Sequence, residues 1–159
     1  TLAVGVREFG FDRQNRPYSI RARTATKREG APDQIFLTDP EGEITNEDGA
    51  WLTVTARSGR WDETRELLFL SGDVRFHHGS GLEFATEAAT VDPGESAAWG
   101  DRFVTGQGPS GELRAPAFRV LPGGRTVVFP GPSRLLLPPS ATPADHGGNT
   151  VSVAEPPET

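Results

Sequence analysis

Residues 56–76 read ARSGRWDETRELLFLSGDVRF, and this stretch decides the fold class. The segment DETR at residues 62–65 is a polar turn between two runs of β character. Beyond it, Leu68, Leu70, Val74 and Phe76 alternate with other residues, and Gly72 interrupts the middle of the run. Because period-two alternation is typical of a strand with one buried face, the stretch predicts a strand, a tight turn and a second strand.

The same order of pieces recurs along the chain. Ala56, Thr86 and Ala115 lie about 30 residues apart, and each begins a segment that leads to a turn, an apolar run and a glycine. Repeats of this length indicate units that cannot close a core alone and must stack on their neighbours. The turns DETR, DPGE and PGG favour antiparallel hairpins, as in a jelly roll, a β-sandwich or a stacked hairpin trough, over a parallel β-helix.

The rest of the chain fits the same all-β pattern. Short apolar or alternating runs predict strands at residues 18–26, 35–37, 51–57, 82–88, 113–120, 126–129 and 134–137. Residues 39–49 are polar and turn-like, and they end in the hairpin-type pair Asp48-Gly49. We expect residues 1–9 to be a lead-in segment or an edge strand, residues 10–137 to be one domain, and residues 138–159 to be a disordered tail.

The composition excludes several kinds of function. The 159 residues include no cysteine, which rules out disulfides, thiolate catalysis and cysteine-based zinc sites. The net charge of −6 argues against a nucleic-acid partner, which would need a basic surface. No run approaches the length of about 18 apolar residues that spans a membrane. Because the chain begins with Thr1, we expect a processed or shortened form, with any signal peptide or anchor lying upstream.

No catalytic or metal site is predicted, and no cofactor. His77 and His78 fall in a predicted turn, where we expect exposure to solvent rather than a shared metal ion. The acidic residues between positions 39 and 48 miss the spacing of a calcium-binding EF-hand. Ser110 lacks the strand–elbow–helix context of a hydrolase nucleophile, and residues 106–111 lack the Lys-Ser/Thr pair of a phosphate loop. An enzyme of the β-helix polysaccharide-lyase kind is therefore the least favoured interpretation.

An ordered set of motifs extends over residues 10–137. It comprises Gly10-Phe11-Asp12, Arg16-Pro17-Tyr18, Asp48-Gly49-Ala50-Trp51, Gly59-Arg60-Trp61-Asp62, LFLSGDV at residues 68–74, GQGPSG at residues 106–111, and Val128-Phe129-Pro130-Gly131. In this order the motifs resemble the LptC family, the periplasmic component of the bacterial lipopolysaccharide export machinery. Single pieces such as LSGDV also resemble the related bridge and outer-membrane proteins of that route, so the resemblance depends on the order.

The resemblance implies a twisted, open β-jelly-roll whose interior is an apolar trough for the acyl chains of lipopolysaccharide. It implies a non-enzymatic carrier that takes lipid from an inner-membrane ABC transporter and passes it to a periplasmic bridge protein of the same fold. Family members are held to the inner membrane by one N-terminal helix, which this chain does not contain. The alternative is the soluble bridge protein itself.

A lipid trough needs inward apolar side chains that leave space between them. Alternation assigns eleven side chains to the inner faces: Tyr18, Ile20, Leu52, Val54, Leu68, Leu70, Val74, Phe76, Leu82, Phe84 and Leu113. The small residues Ala22, Ala56, Ala88 and Ala115 are expected to leave room. The resemblance implies lipid contacts for the inner faces, with conformational roles for Gly72 and Gly111. The same pattern also fits an ordinary sandwich core.

The edges of an open sheet invite pairing with another strand. By resemblance, the end at residues 18–26 would face the transporter and the end at residues 134–137 would face the bridge protein. Trp61 and Trp99 lie next to predicted turns, where partial burial at a trough rim and ordinary packing are equally consistent with the pattern. A structural β-repeat module that binds protein edges without lipid is the second functional hypothesis.

Overall fold

The structure is a computed structural model that describes residues 2–45, 51–131 and 134–136. The described residues form one antiparallel sheet and no helix that could cross a membrane. The strands are β1 (Leu2–Phe11), β2 (Pro17–Arg28), β3 (Ala31–Thr38), β4 (Glu41–Thr45), β5 (Trp51–Thr55), β6 (Ser58–Asp62), β7 (Leu67–His78), β8 (Glu83–Asp92), β9 (Ala97–Gly100), β10 (Val104–Gly108), β11 (Gly111–Ala115), β12 (Phe118–Val120), β13 (Val127–Val128) and β14 (Arg134–Leu136).

Several of these strands are the two halves of one longer strand that bends in the middle. Thus β3 and β4 pair with the same β2, the first through Thr24↔Thr38 and the second through Tyr18↔Ile44. In the same way β5 and β6 both pair with β7, and β9 and β10 both pair with β8. Within the described residues, the sheet is therefore a meander of nine long strands, each paired with the next one along the chain.

The bends lie along one line across the sheet. At this line the backbone has positive φ at Asp39 (50°), Gly72 (85°), Asp73 (50°) and Gly131 (81°), a region that lets a strand turn sharply. Backbone hydrogen bonds continue across it, from Asp39 N–H to the carbonyl of Arg57 and from Arg57 N–H to the carbonyl of Gly72, each at 2.9 Å. Below, "half A" means residues 24–38, 58–71, 88–100 and 117–128, and "half B" means residues 6–22, 41–55, 74–86 and 104–115.

The two halves fold over each other and enclose the core. The buried apolar side chains come from both halves and form one cluster. The all-β, jelly-roll-like fold predicted from the repeat is confirmed, and each repeat corresponds to a pair of long strands. The turn predicted at residues 62–65 is present, and Leu68, Leu70, Val74 and Phe76 share one buried face of β7.

β4 is one of the strands that were not predicted. Residues 41–45 were expected to be polar turn or loop, but they form β4, in which Gly42 and Ile44 are buried and Glu43 is exposed. The expectation was wrong because two glutamates and a glycine hide the alternation, while Ile44 still packs opposite Tyr18 and Leu52. The predicted Asp48-Gly49 turn and the tail at residues 138–159 lie outside the described residues.

Aspartates organise the turns between strands. Asp62 Oδ1 accepts hydrogen bonds from the backbone N–H groups of Thr64 and Arg65, both at 3.0 Å. Asp12 Oδ1 accepts from the N–H groups of Gln14 and Arg16 in the β1–β2 turn. Such side-chain turns satisfy backbone donors that the strands leave unpaired, so each carboxylate fixes the geometry of its hairpin.

We predict an acid-dependent loss of stability through Asp62. The backbone N–H of Arg65, followed by the side chain of Gln34 and the nearby Arg65 charge, lowers the pKa of Asp62 from 3.8 to about 2. A lowered folded-state pKa stabilises the protein above pH 4, and this stabilisation is lost as the pH falls from about 4 to about 2. The free energy of unfolding of Asp62→Asn, measured with urea, should therefore be lower than that of the parent at pH 7. The difference between the two should narrow as the pH falls from about 4 to about 2. A difference independent of pH would contradict the assignment, and exposed Glu87→Gln is the control, expected within about 0.5 kcal/mol of the parent.

Candidate functional site

The predicted inner-face residues lie on the facing surfaces of the two halves. Tyr18 is partly buried and packs against the core. The other ten are buried: Ile20, Leu52, Val54, Leu68, Leu70, Val74, Phe76, Leu82, Phe84 and Leu113. Most of them belong to half B, and Leu68 and Leu70 belong to half A. The interior is thus an apolar layer between two walls, each contributed by alternate residues of the long strands.

Four phenylalanines fill the interior at one end. Phe76 and Phe84 are stacked with ring centroids 4.7 Å apart, and Phe118 lies 5.0 Å from each of them. Phe129 meets Phe84 edge to face at 5.7 Å. Because Phe118 belongs to half A while Phe76 and Phe84 belong to half B, this aromatic cluster joins the two walls.

Sequence reasoning gave no inward role to Phe118 or Phe129, although both are fully buried. A signal was present in the repeat, because Phe129-Pro130-Gly131 occupies the place of Leu70-Ser71-Gly72. Leu70 and Phe129 are both buried, at 3% and 0% exposure. The equivalent position of each repeat therefore faces the interior.

The expectation of free space inside was wrong for this conformation. The cavity lined by Tyr18, Ile44, Leu52, Leu68 and Val91 has a volume of about 10 Å³. That volume holds about one water molecule at most. Small residues such as Ala56 and Ala115 do face inward, but the phenylalanines and short valines occupy the room they leave.

Tyr18 lies at the margin of this interior. A side chain on Gly10 of the neighbouring strand would come within 2.5 Å of the Tyr18 ring, so a larger residue there would displace the ring. Burial, and then the negative charges of Glu66, Glu8 and Asp92, raise the pKa of Tyr18. The Tyr18 hydroxyl therefore stays protonated, which suits a position beside an apolar layer.

At the side farthest from the line of bends, the turns of the two halves meet, and polar contacts hold them together. The Ser96 hydroxyl donates to Asp12 Oδ2 at 2.6 Å, and Arg13 N–H donates to the carbonyl of Gly94 at 2.7 Å. Arg16 Nε also donates to Asp12 Oδ2, at 2.9 Å. Burial alone would raise the pKa of Asp12, but the hydrogen bonds from Ser96 and Arg16 outweigh it and hold the pKa below 3.8. We call this set, with the His78 contact below, the lip contacts.

His78 makes a further lip contact. It was expected in an exposed turn, but it ends β7, is 7% exposed and donates from Nε2 to the carbonyl of Gly124 at 2.8 Å. Because a carbonyl only accepts, Nε2 carries the proton and Nδ1 is left to face the Ser80 hydroxyl at 2.8 Å. The prediction of solvent exposure was wrong because the strand continues two residues beyond Phe76 and carries His78 to the inner face.

The remaining candidates occupy structural positions. Gly72 (φ 85°) lies at the line of bends, and Gly111 (φ 128°) begins β11 beside the tight turn after Gly108. Trp61 is partly buried against the core, and Trp99 is 38% exposed on the outer face. Within residues 2–45, 51–131 and 134–136, no group of three or more His, Cys, Asp or Glu side chains is placed to hold a metal ion.

The edge of the sheet at its N-terminal end is β1. Residues 18–26 were expected at this edge, but β2 is covered on one side by β1 and on the other by β3 and β4. In the described part of the chain β1 pairs with β2 alone, and it exposes four large apolar side chains: Leu2, Val4, Phe9 and Phe11, at 62%, 74%, 69% and 65%. β1 includes residues 2–9 of the segment that was expected to be a lead-in segment or an edge strand.

Comparison with protein-family models gives one match. A model described as "Lipopolysaccharide-assembly, LptC-related" matches residues 5–126, which extend from β1 to the turn before β13. A comparison with curated proteins gave no match.

We predict that Phe118 holds the two walls together. Phe118→Ala should lower the free energy of unfolding by about 3–5 kcal/mol, because it removes a fully buried ring shared by Phe76 and Phe84. Phe103→Ala is the matched control: Phe103 is 60% exposed, and its removal should change stability by less than about 0.5 kcal/mol. Urea unfolding followed by tryptophan fluorescence measures both, and equal effects of the two substitutions would contradict the role of Phe118.

Proposed function

The chain belongs to the LptC-related family of lipopolysaccharide-assembly proteins, and on that premise we propose that it carries lipopolysaccharide with the acyl chains between its two halves. Members of this family act in lipopolysaccharide transport in the periplasm. The observation that carries the proposal is the apolar layer itself, which is built from alternate residues of both walls and contains few polar side chains. In this role the chain performs no catalysis.

The proposed contacts are those of the inner faces, with Leu52, Val54, Phe76 and Phe84 on one wall and Leu68 on the other. Each buried methylene contributes about 0.8 kcal/mol, so about ten methylenes contribute about 8 kcal/mol. Such binding needs no charged clamp. A net charge of −6 also suits a carrier that leaves an anionic head in water rather than neutralising it inside.

Loading requires the walls to separate, because the interior of this conformation is filled. The part best suited to move is the β12–β13 hairpin, whose strands have three and two residues and which carries Phe118. Its displacement would remove Phe118 and Phe129 from Phe84 and expose apolar surface that acyl chains then cover. The lip contacts at Asp12 and His78 would have to break as well. Gly72 and Gly111 are proposed as points of backbone adjustment, since both already have positive φ.

The two edges are proposed as the contacts with neighbouring proteins. The free edge of β1 would pair with a strand of the inner-membrane ABC transporter, and the edge formed by β13 and β14 would pair with the periplasmic bridge protein. Transfer along such a continuous sheet would keep the acyl chains out of water. An inner-membrane anchor helix before Thr1 stays a prediction from the resemblance.

One observation favours a second function. The exposed apolar side chains of β1, such as Val4 and Phe9, are those expected of a strand that binds protein edges, whether or not the interior takes lipid. A protein-interaction module, or the soluble bridge protein of the same route, would use this edge too. Recovery of protein partners but never of lipid from membranes would favour the module over the carrier.

The carrier function is tested by photo-crosslinking to purified lipopolysaccharide. Crosslinking residues at Leu70, Phe84 and Leu113, which are 2–3% exposed, should capture lipid. The crosslinking amino acid placed at exposed Glu66 or Glu83 should not capture lipid, because these two positions lie outside the apolar layer. Equal labelling of inner and outer positions would refute binding between the walls.

A charge placed on the inner face should also impair loading. Phe84→Glu introduces a carboxylate into the aromatic cluster, and we expect it to reduce co-purified lipid at least about tenfold relative to the parent. Arg75→Glu on the neighbouring exposed position of β7 is the matched control and should load normally. Circular dichroism confirms that both variants retain the strand content of the parent. A folded Phe84→Glu variant that carries lipid like the parent would contradict the proposal.

A further inference from the structure

The outer face of half A carries one row of side chains that alternates between aromatic rings and other residues. Strand register places them directly opposite one another across six strands: Phe36, Arg60, Phe69, Thr90, Trp99 and Arg119. Directly opposed residues of antiparallel strands project from the same face, so the six form a continuous line. None of them takes part in the apolar layer between the walls.

A groove of about 470 Å³ opens in this row. Its walls include Phe69 and Trp99, which stand two strands apart, so their backbones are about 10 Å from each other. Between them the floor is low because Ala88, Thr90 and Gly100 are small. A side chain at Gly100 would point inward and come within 2.7 Å of the buried Phe118 ring, so Gly100 adds only backbone to the groove.

The polar groups of the groove have unused hydrogen-bonding capacity. In the described part of the chain, the side chains of Thr90, Asp101 and Arg119 form no hydrogen bond or ion pair with protein. Among the described residues, seven other cations form ion pairs with acids, as in Arg21–Glu41 and Arg23–Asp39. The groove therefore presents a donor, an acceptor and a hydroxyl around two rings.

This combination selects a particular chemistry. The apolar face of a hexose ring can lie against an aromatic side chain, and a slot of about 10 Å takes one such ring in contact with both walls. Carboxylates accept hydrogen bonds from sugar hydroxyls, and arginine is the side chain that best binds phosphate. Arg60, which stacks on Phe69 at 4.3 Å, adds positive charge on the far side of that ring.

We infer that this outer groove is a binding site for a phosphorylated hexose, with the sugar ring between Phe69 and Trp99 and the phosphate toward Arg119. Thr90 and Asp101 meet the hydroxyl groups. The side chains that form the site face away from the apolar layer, and the site requires no acyl chain. It therefore goes beyond the carrier function and gives the acidic protein one surface that attracts an anionic head group.

The test is a titration followed through the indole N–H signals of the three tryptophans in an NMR spectrum. Trp99→Phe identifies the Trp99 signal. The probes are glucose 1-phosphate, methyl glucoside and inorganic phosphate at matched ionic strength. We expect a saturable shift of the Trp99 signal with glucose 1-phosphate, at a Kd on the order of 1 mM, and at least about fivefold weaker binding of the other two probes.

Arg119→Gln should weaken the binding of glucose 1-phosphate at least about fivefold, whereas Arg114→Gln, which removes an exposed arginine of half B, should leave it unchanged. No saturable shift at Trp99, or an equal effect of the two substitutions, would overturn the inference. If inorganic phosphate bound as tightly as glucose 1-phosphate, the site would hold an adventitious ion only. If methyl glucoside bound as tightly as glucose 1-phosphate, the phosphate group would not contribute to binding, and the inference of a phosphate site would be wrong. Because none of these probes has acyl chains, each of these failures leaves the lipid-crosslinking result untouched.

Discussion

The line of bends across the long strands is the constraint on which the rest of the structure depends. A flat meander of alternating strands would expose its apolar face, because a single sheet has nothing to cover it. Positive φ at Asp39, Gly72 and Gly131 bends three separate strands at the same level, and the hydrogen bonds through Arg57 keep the sheet continuous there. One sheet thereby becomes its own partner, and the inner faces of its two halves bury each other.

The two sides of this folded sheet differ in chemistry. Along the bends, the walls are joined by covalent chain and backbone hydrogen bonds. At the lips, within the described residues, they are joined by side-chain and turn contacts, chiefly Ser96–Asp12 and His78–Gly124, with one backbone hydrogen bond from Arg13 to Gly94. Between the bends and the lips lies the apolar layer. Contacts within this layer can be exchanged for contacts with another hydrocarbon without exposing much apolar surface to water. Separation of the walls is therefore easiest at the lips, whereas the bends resist it.

Sequence reasoning succeeded where the physical signal was local. Alternation in β7 and β8 identified their buried faces, because a period of two is visible within a few residues. It failed for β4, whose apolar content is a single isoleucine, and for Phe118 and Phe129, which lie in or beside strands of three and two residues. The outer groove and the lip contacts depend on residues far apart in the chain, and Asp12 and Ser96 are separated by 84 positions. No window of the sequence records such a pairing.

The meander has a consequence for the order of folding. Each long strand pairs with the long strand that precedes it in the sequence. Because the connecting loops are short, closing each hairpin costs little entropy, and the sheet can grow from its first hairpin onward. The Asp12–Ser96 contact is an exception, because it needs the β8–β9 turn to be present before the first turn of the chain has a partner. The sheet therefore forms before the lip contacts do. A folding molecule passes through a stage in which the apolar interior is still open to water at the lips.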